Sequence, residues 1–317
     1  MSYISTTSIK EGGTAAPVVV SQRSRSAGWL PFWFLLPSVI ILLAFQVGPS
    51  LYSFYLSTTS LVQQGGNAVN VNVGLANYRE LFASQTFRES LWHTAVYASS
   101  FLVLTIGLGL MLALLLNRRI KYTGFYLVLI FLPWVISDVV AGTMWRWMFQ
   151  QTYGIVQVAL NPLIGSSLYT DANGAMAIVV AASVWRSLAF TTLIFLSALQ
   201  VVPAEILESA ALDGANRAQR FTQMIFPMIR PAFLVTVLLT SIRAINAVGL
   251  IYSITRGNPG GATQTASFYL LRVGWEQGDF GTGAAISVIL FIINLALTFV
   301  YVRWMGAGST IGVADGV

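Results

Sequence analysis

Residues 90–117 read SLWHTAVYASSFLVLTIGLGLMLALLLN. No Asp, Glu, Lys or Arg interrupts them. The run is longer than the roughly 20 mostly apolar residues that a helix needs to cross the hydrocarbon core of a bilayer. Arg118, Arg119 and Lys121 follow almost at once. Five more stretches have the same character, at about 29–56, 123–149, 175–201, 231–255 and 283–305. The pattern predicts an all-α fold, a polytopic membrane helical bundle of six transmembrane helices occupying residues 29–305. Spans longer than the minimum permit tilt without fixing an angle.

Composition agrees. Hydrophobic residues make up 56% of the 317-residue chain and charged residues 9%, where soluble domains carry roughly 25% charged residues. Mean hydropathy is +0.73. Too few polar side chains are present to cover a globule of this size. A soluble enzyme, a disordered chain and a secreted disulfide scaffold are thereby excluded. Without cysteine there is no disulfide framework, thiolate metal site or cysteine nucleophile. His93 is the one histidine, so no metal site is expected.

The net charge of +6 suggests a nucleic-acid partner until the charges are mapped. With the N-terminus inside, ten basic residues fall on inner segments: Lys10, Arg23, Arg25, Arg118, Arg119, Lys121, Arg217, Arg220, Arg230 and Arg303. Only Arg79, Arg88, Arg256 and Arg272 fall outside. This bias is a topology signal that places both termini in the cytoplasm. No nucleic acid is expected. Residues 1–28, rich in Ser, Thr and Gly, are read as a disordered cytoplasmic tail. They lack a small-residue cleavage site, so the first span is expected to stay as an anchor. Residues 306–317 are expected to form a second cytoplasmic tail. The outer connections, about 57–89, 150–174 and 256–282, are rich in Gly, Asn, Gln and Thr. Within the first, residues 75–82 have helical amphipathic spacing and are expected to lie on the outer membrane surface. Trp29, Trp33, Trp92, Trp145, Trp147 and Trp304 fall near span ends, where amphipathic rings favour the lipid interface.

The inner loop 202–230 carries more order than a connector needs. Pro203 suits a first helical turn, and Glu205 and Glu208 complement the helix N-terminus. Ile206, Leu207, Ala210 and Ala211 form a small apolar face. Gly214 permits a sharp break. Asn216 can cap a second short helix that bears Arg217, Arg220, Phe221, Met224 and Ile225. Pro227 and Pro231 are expected to end that helix and lead back into the membrane. Two short amphipathic helices about a glycine make a rigid knob. The bland alternative is an interfacial helix resting on lipid.

These residues carry a resemblance. Glu208-Ser209-Ala210, three residues, Gly214, nine residues and Met224-Ile225-Phe226-Pro227 resemble the EAA motif of bacterial ABC importer permeases. Ser209, Met224 and Phe226 replace Ala, Ile and Leu of the usual pattern and keep its size or apolarity. Pro203 to Ala215, with Glu205 and Asp213, resembles the extended motif of the carbohydrate-uptake, maltose-type branch. Pro133 with Trp145-Arg146-Trp147, Val184-Trp185-Arg186, Ile251-Tyr252-Ser253-Ile254-Thr255 and Gly257-Asn258-Pro259 are similar to further patterns of that branch. The resemblance covers about residues 29–305. One departure is Ala247-Val248-Gly249, where the family often has an acid shortly before the Ile-Tyr pair.

The resemblance implies a type I, maltose-type permease of the bacterial inner membrane. A second, related permease subunit would pair with it, and loop 202–230 would dock on a cytoplasmic ATPase dimer through Glu205, Glu208, Ala210, Asp213, Gly214 and Pro227. An extracytoplasmic solute-binding protein would deliver a carbohydrate to the outer loops. ATP and Mg would bind the ATPase, and no cofactor would bind this chain. Consistent with that division, no phosphate-binding Gly-x-x-x-x-Gly-Lys-Ser/Thr loop is present. The only lysines, Lys10 and Lys121, both follow isoleucine.

Charges inside the spans need partners. Arg186 and Arg243 stand about 11 and 12 residues into their spans, near the midplane at roughly 1.5 Å per residue. Asp138 lies toward the outer side of the third span. Each costs at least ~2.5 kcal/mol at such depth on insertion scales. They either pair as structural glue or line a translocation cavity, together with Asn246, one turn beyond Arg243. Asn294 is expected to make an interhelical hydrogen bond. Sugars need flat aromatic platforms and a few polar groups. Trp145, Trp185 and Tyr252 could be platforms, or anchoring and packing residues. Alternatives to sugar import are an ABC importer of a glycerol phosphate, polyol or uronate, since two midplane arginines face one aspartate, then a secondary transporter, and a structural scaffold. A secondary transporter would favour inverted repeats and acid-rich spans, and a scaffold would not need the knob.

Overall fold

The computed structural model describes residues 30–64, 67–118, 121–164 and 167–309. The expected N-terminal tail 1–28, Trp29, part of the inner turn at 119–120 and the end of the C-terminal tail from 310 lie outside them. Two units are recognised, Met1–Ser50 and Leu51–Val317.

Helix α1 comprises Leu30–Leu42, a π turn at Leu43–Val47 and Gly48–Leu56. Strands β1 (Thr59–Gln64) and β2 (Asn67–Asn72) form an antiparallel hairpin with Gln64 opposite Asn67. Then come α2 (Ala76–Ala83), α3 (Gln85–Leu116), α4 (Thr123–Val135), α5 (Asp138–Met148), α6 (Ile155–Ile164) and α7 (Ala172–Gln200). The knob helix α8 (Ala204–Leu212) is followed by α9 (Arg217–Ile245). Helices α10 (Gly249–Ile254), α11 (Ala266–Leu270, prolonged by a π turn at Leu271–Glu276) and α12 (Phe280–Ser309) complete the chain. Among the described residues five helices are long and apolar enough to span a membrane, and six if α4 and α5 count as one broken span.

The third span is not one helix. α4 and α5 are bent by 96°. Ile136 is extended, and the Ser137 side chain caps α5 by accepting from the Val140 amide. Asp138 then sits in the first turn of α5, where a carboxylate complements the helix N-terminus. A Ser-Asp helix start inside an apolar run explains the break.

The prolines of the inner loop do not end its second helix. α9 runs from Arg217 through Pro227 and Pro231 to Ile245. A π turn at Arg220–Ile225 directly precedes Pro227, and the Phe226 amide reaches back to the Phe221 carbonyl. Proline removes one amide and clashes with the carbonyl four residues back. A widened turn just ahead moves those carbonyls aside. The π turn of α1 stands in the same relation to Pro49. The fifth span ends instead at Asn246, and residues 249–254 form the separate helix α10.

The amphipathic piece at 75–82 forms helix α2, with one face against the chain. Asn77 and Leu81 of α2 are buried in protein. The Asn77 Nδ2 donates to the carbonyls of Ser57 and Thr59, both at 2.9 Å, and the Tyr78 hydroxyl donates to Ser57 Oγ at 2.7 Å. The two amide hydrogens of Asn77 satisfy two turn carbonyls, which ties one face of the helix to the chain.

The core lies mainly between α3, α7, α9 and α10. Tyr97 and Phe101 of α3 pack with Val179 and Ala182 of α7, Ile251 and Ile254 of α10 and Phe268 of α11. Toward the knob, Leu116, Phe195 and Ile229 form another cluster. Among the described residues Asn294 makes no interhelical bond: its Nδ2 donates to the Leu290 carbonyl one turn back in α12.

Candidate translocation site

Both broken spans open toward one cavity of about 330 Å³. Small-molecule sites occupy roughly 300–1,000 Å³. Helix α3 supplies Tyr97 and Phe101, one turn apart and stacked at 5.8 Å. Helix α7 supplies Ser183, Arg186 and Ser187, which share a face by their spacing of three and four. Asp138 comes from the first turn of α5. Arg243 and Asn246 end α9, and residues 247–250 complete the wall.

Arg186 Nη1 lies 2.9 Å from Asp138 Oδ1. Its Nε donates to the carbonyl of Ile136 at 3.0 Å. One guanidinium therefore holds both sides of the α4–α5 break: the unpaired carbonyl before it and the carboxylate after it. Gly249 backs this pair. A Cβ there would fall 2.7 Å from Asp138 Cβ and 2.8 Å from Oδ2. Asp138 of α5 thus packs against the bare backbone of Gly249.

Arg243 has no carboxylate partner among the described residues. Its guanidinium lies over the Phe190 ring, 5.8 Å from the centroid, a cation–π placement. Tyr97 donates to Ser183 Oγ at 2.9 Å, and Ser183 passes a bond to the Val179 carbonyl at 2.8 Å. Asn246 Nδ2 donates to the Ile242 carbonyl at 2.7 Å. The cavity offers one ion pair, a second cation without a salt-bridge partner among the described residues, hydroxyls, an amide and two aromatic rings. Such a set suits a hydroxylated or anionic solute.

Of the residues picked out from sequence, Asp138, Arg186, Arg243 and Asn246 are brought together, and Trp145 and Tyr252 are not. Trp145 stacks on Phe149 at 5.8 Å and tilts against Trp185 at 5.9 Å, within the core. Tyr252 contacts Phe268 and lies under Arg256.

The inner knob has its own geometry. The Ala215 amide donates to the Ala210 carbonyl at 2.9 Å and the Gly214 amide to Ala211 at 3.2 Å, with Gly214 at φ +87°. This is a Schellman ending. It explains why the glycine stands four residues after Ala210. Asn216 then opens α9 with a capping box to Gln219. Glu205, Ala210 and Asp213 line a cleft of about 510 Å³ together with Ser209, Gln223 and Met224. Glu208 is exposed outside that lining, and Pro227 lies within α9. Leu212, at the end of α8, is 89% exposed.

The family model described as binding-protein-dependent transport system inner membrane component matches residues 105–305. The chain belongs to this family of ABC importer permeases. The permease is 31% identical over 280 residues to the sn-glycerol-3-phosphate transport system permease protein of Agrobacterium fabrum, covering 87% of this chain and 94% of that one. It is also 31% identical over 289 residues to the trehalose/maltose transport system permease protein of Thermococcus litoralis, covering 89% and 94%. In structure it resembles a chain of a bacterial ABC transporter that imports the acidic polysaccharide alginate. The TM-score is 0.75 at 20% identity, over 90% of this chain and 96% of that one. A chain of the alginate transporter in complex with its pentasaccharide-bound periplasmic protein gives 0.72 at 21% identity, over 86% and 92%. These two likenesses bear on the fold.

Besides the wall at residues 247–250, sequence reasoning missed Tyr97, Phe101, Ser183 and Ser187 of the permease cavity. The serines were visible as polar positions flanking Arg186 at helical spacing. Tyr97 and Phe101 carried no signal beyond membership of an apolar span.

Proposed function

We propose that this permease carries a carbohydrate across the bacterial inner membrane, with both termini cytoplasmic. Asp138, Arg186, Arg243 and Asn246 line its path. A second permease subunit completes the pathway, and an extracytoplasmic binding protein delivers the sugar to the outer loops. A cytoplasmic ATPase dimer, which carries the ATP and Mg, seats on the knob at Glu205, Glu208, Ala210, Asp213 and Gly214. The chain itself binds no cofactor.

The observation that carries the reading is the cavity at the two helix breaks, lined by charged, hydroxyl and aromatic side chains, in a chain 31% identical to a trehalose/maltose permease. The exposed Leu212 and the acid-lined cleft beside it support the knob as a docking surface. A second reading, import of a glycerol phosphate or another small anion, is favoured by Arg243, which lacks a carboxylate partner, and by the equally similar glycerol-3-phosphate permease.

The test is uptake by vesicles that hold the assembled transporter, supplied with its binding protein. ATP-dependent, saturable accumulation of a labelled disaccharide, without accumulation of glycerol 3-phosphate, is the expected result. The reverse preference would establish the second reading. Accumulation of either without ATP hydrolysis would contradict both.

A further inference from the structure

Where α9 begins its apolar course, Phe226, Pro227, Arg230, Phe233 and Leu234 form a pocket with Trp304 of α12, about 280 Å³ in volume. We propose that this pocket binds one anionic phospholipid, with an acyl chain in the cleft and the phosphate on Arg230.

The walls are apolar and aromatic except at Arg230. They are also held in place before any ligand arrives. Phe226 meets Phe233 edge to face at 5.3 Å, and Phe233 stacks at 6.0 Å on Phe195, which is fully buried. Arg230 is half-buried, and no acid pairs with it among the described residues. The nearby acids Glu205 and Asp213 line the separate cleft beside α8.

A guanidinium set into an apolar wall at the membrane boundary needs an anion that brings its own hydrocarbon. Basic pockets between membrane helices near a surface receive lipid phosphates for this reason. Trp304, 59% exposed at the rim, has the amphipathic ring that favours headgroup depth. Pro227 belongs both to this pocket and to the motif that leads out of the knob. A lipid seated here braces the first apolar turn of α9, directly after its π turn. The inference needs only that this end of α9 lies at a membrane surface, so it stands or falls apart from the identity of the transported solute.

The assembled transporter is reconstituted in phosphatidylcholine containing small fractions of brominated phosphatidylglycerol or brominated phosphatidylcholine. Tryptophan quenching is then recorded for the native chain and for Trp304→Phe, and the difference isolates Trp304. Phosphatidylglycerol is expected to quench Trp304 at about fivefold lower mole fraction, the equivalent of the ~1 kcal/mol expected for one basic side chain at an anionic surface. Arg230→Gln should abolish that preference and Arg230→Lys should retain much of it. Equal quenching by both lipids, or a preference that survives Arg230→Gln, would overturn the proposal. No quenching of Trp304 by either lipid would mean that protein covers the pocket, and would overturn it too.

Discussion

Arg186→Gln is expected to lower the yield of monodisperse permease several-fold, whereas Arg243→Gln should leave yield near wild type and impair uptake. Arg186 makes the 2.9 Å pair with Asp138 and also satisfies the Ile136 carbonyl at the α4–α5 break. Its removal strands a carboxylate and a carbonyl together. Loss of one partner from a fully buried pair costs roughly 3–5 kcal/mol. Here the side chains are 18% and 44% exposed, so screening reduces the expected cost to about 1–2 kcal/mol. That is a large share of a marginal stability. Arg243 rests on Phe190 and has no carboxylate in salt-bridge contact among the described residues, so neutralising it removes a cation from the cavity without stranding an ion-pair partner. Size-exclusion profiles and vesicle uptake of the two single variants separate the roles. Equal yields would contradict the assignment of Arg186 as the structural arginine.

Gly214→Val should uncouple ATP hydrolysis from transport while insertion proceeds. Gly214 holds φ +87° and its own amide and that of Ala215 close the end of α8. A β-branched residue there is strained by roughly 1–2 kcal/mol, and the least costly relief is to unwind the closing bonds. The angle between α8 and α9 would then change, and with it the presentation of Glu208 and Leu212. Gly214→Asn is the control, since asparagine tolerates the left-handed region. Transport-linked ATP hydrolysis should be lost in the valine variant and largely recovered in the asparagine variant. Full coupling in Gly214→Val would show that the knob does not transmit the stroke.

What was legible in the sequence follows from the length scale of each signal. Membrane spans announce themselves over about 20 residues, so the apolar runs were plain. The knob was legible too, because its signals are local. Gly214 and Asn216 act on backbone within five residues of themselves. The break in the third span leaves only a faint signal, Ser137-Asp138 as a helix start. The apolar residues on both sides outweighed it, and hydropathy does not distinguish a straight span from a bent one. Pro227 and Pro231 point the other way in the sequence, yet the helix continues through both, a π turn ahead of Pro227 absorbing what that proline removes. The hairpin at 59–72 was hidden by polar composition, though Val69 and Val71 alternate with asparagines.

The cavity was half legible for a related reason. Charges at membrane depth demand partners, so Asp138, Arg186 and Arg243 drew attention on energetic grounds alone. Which arginine takes the aspartate depends on the bend between α4 and α5, a tertiary fact. Trp145 and Tyr252 do not line the cavity and pack instead against Phe149, Trp185, Phe268 and Arg256.

The chain contains no cysteine, which opens a direct route to the central claim that the cavity at the helix breaks is the path and that the ATPase turns it from one side to the other. Single cysteines at Ser187 and Ala247, both in the cavity lining, are probed in the assembled transporter with a membrane-impermeant thiol reagent added to one side at a time. Labelling is expected from the cytoplasmic side without nucleotide and from the outer side with a non-hydrolysable ATP analogue, and substrate should protect both positions. Labelling from the same side in both nucleotide states, or no labelling in either, would contradict the account.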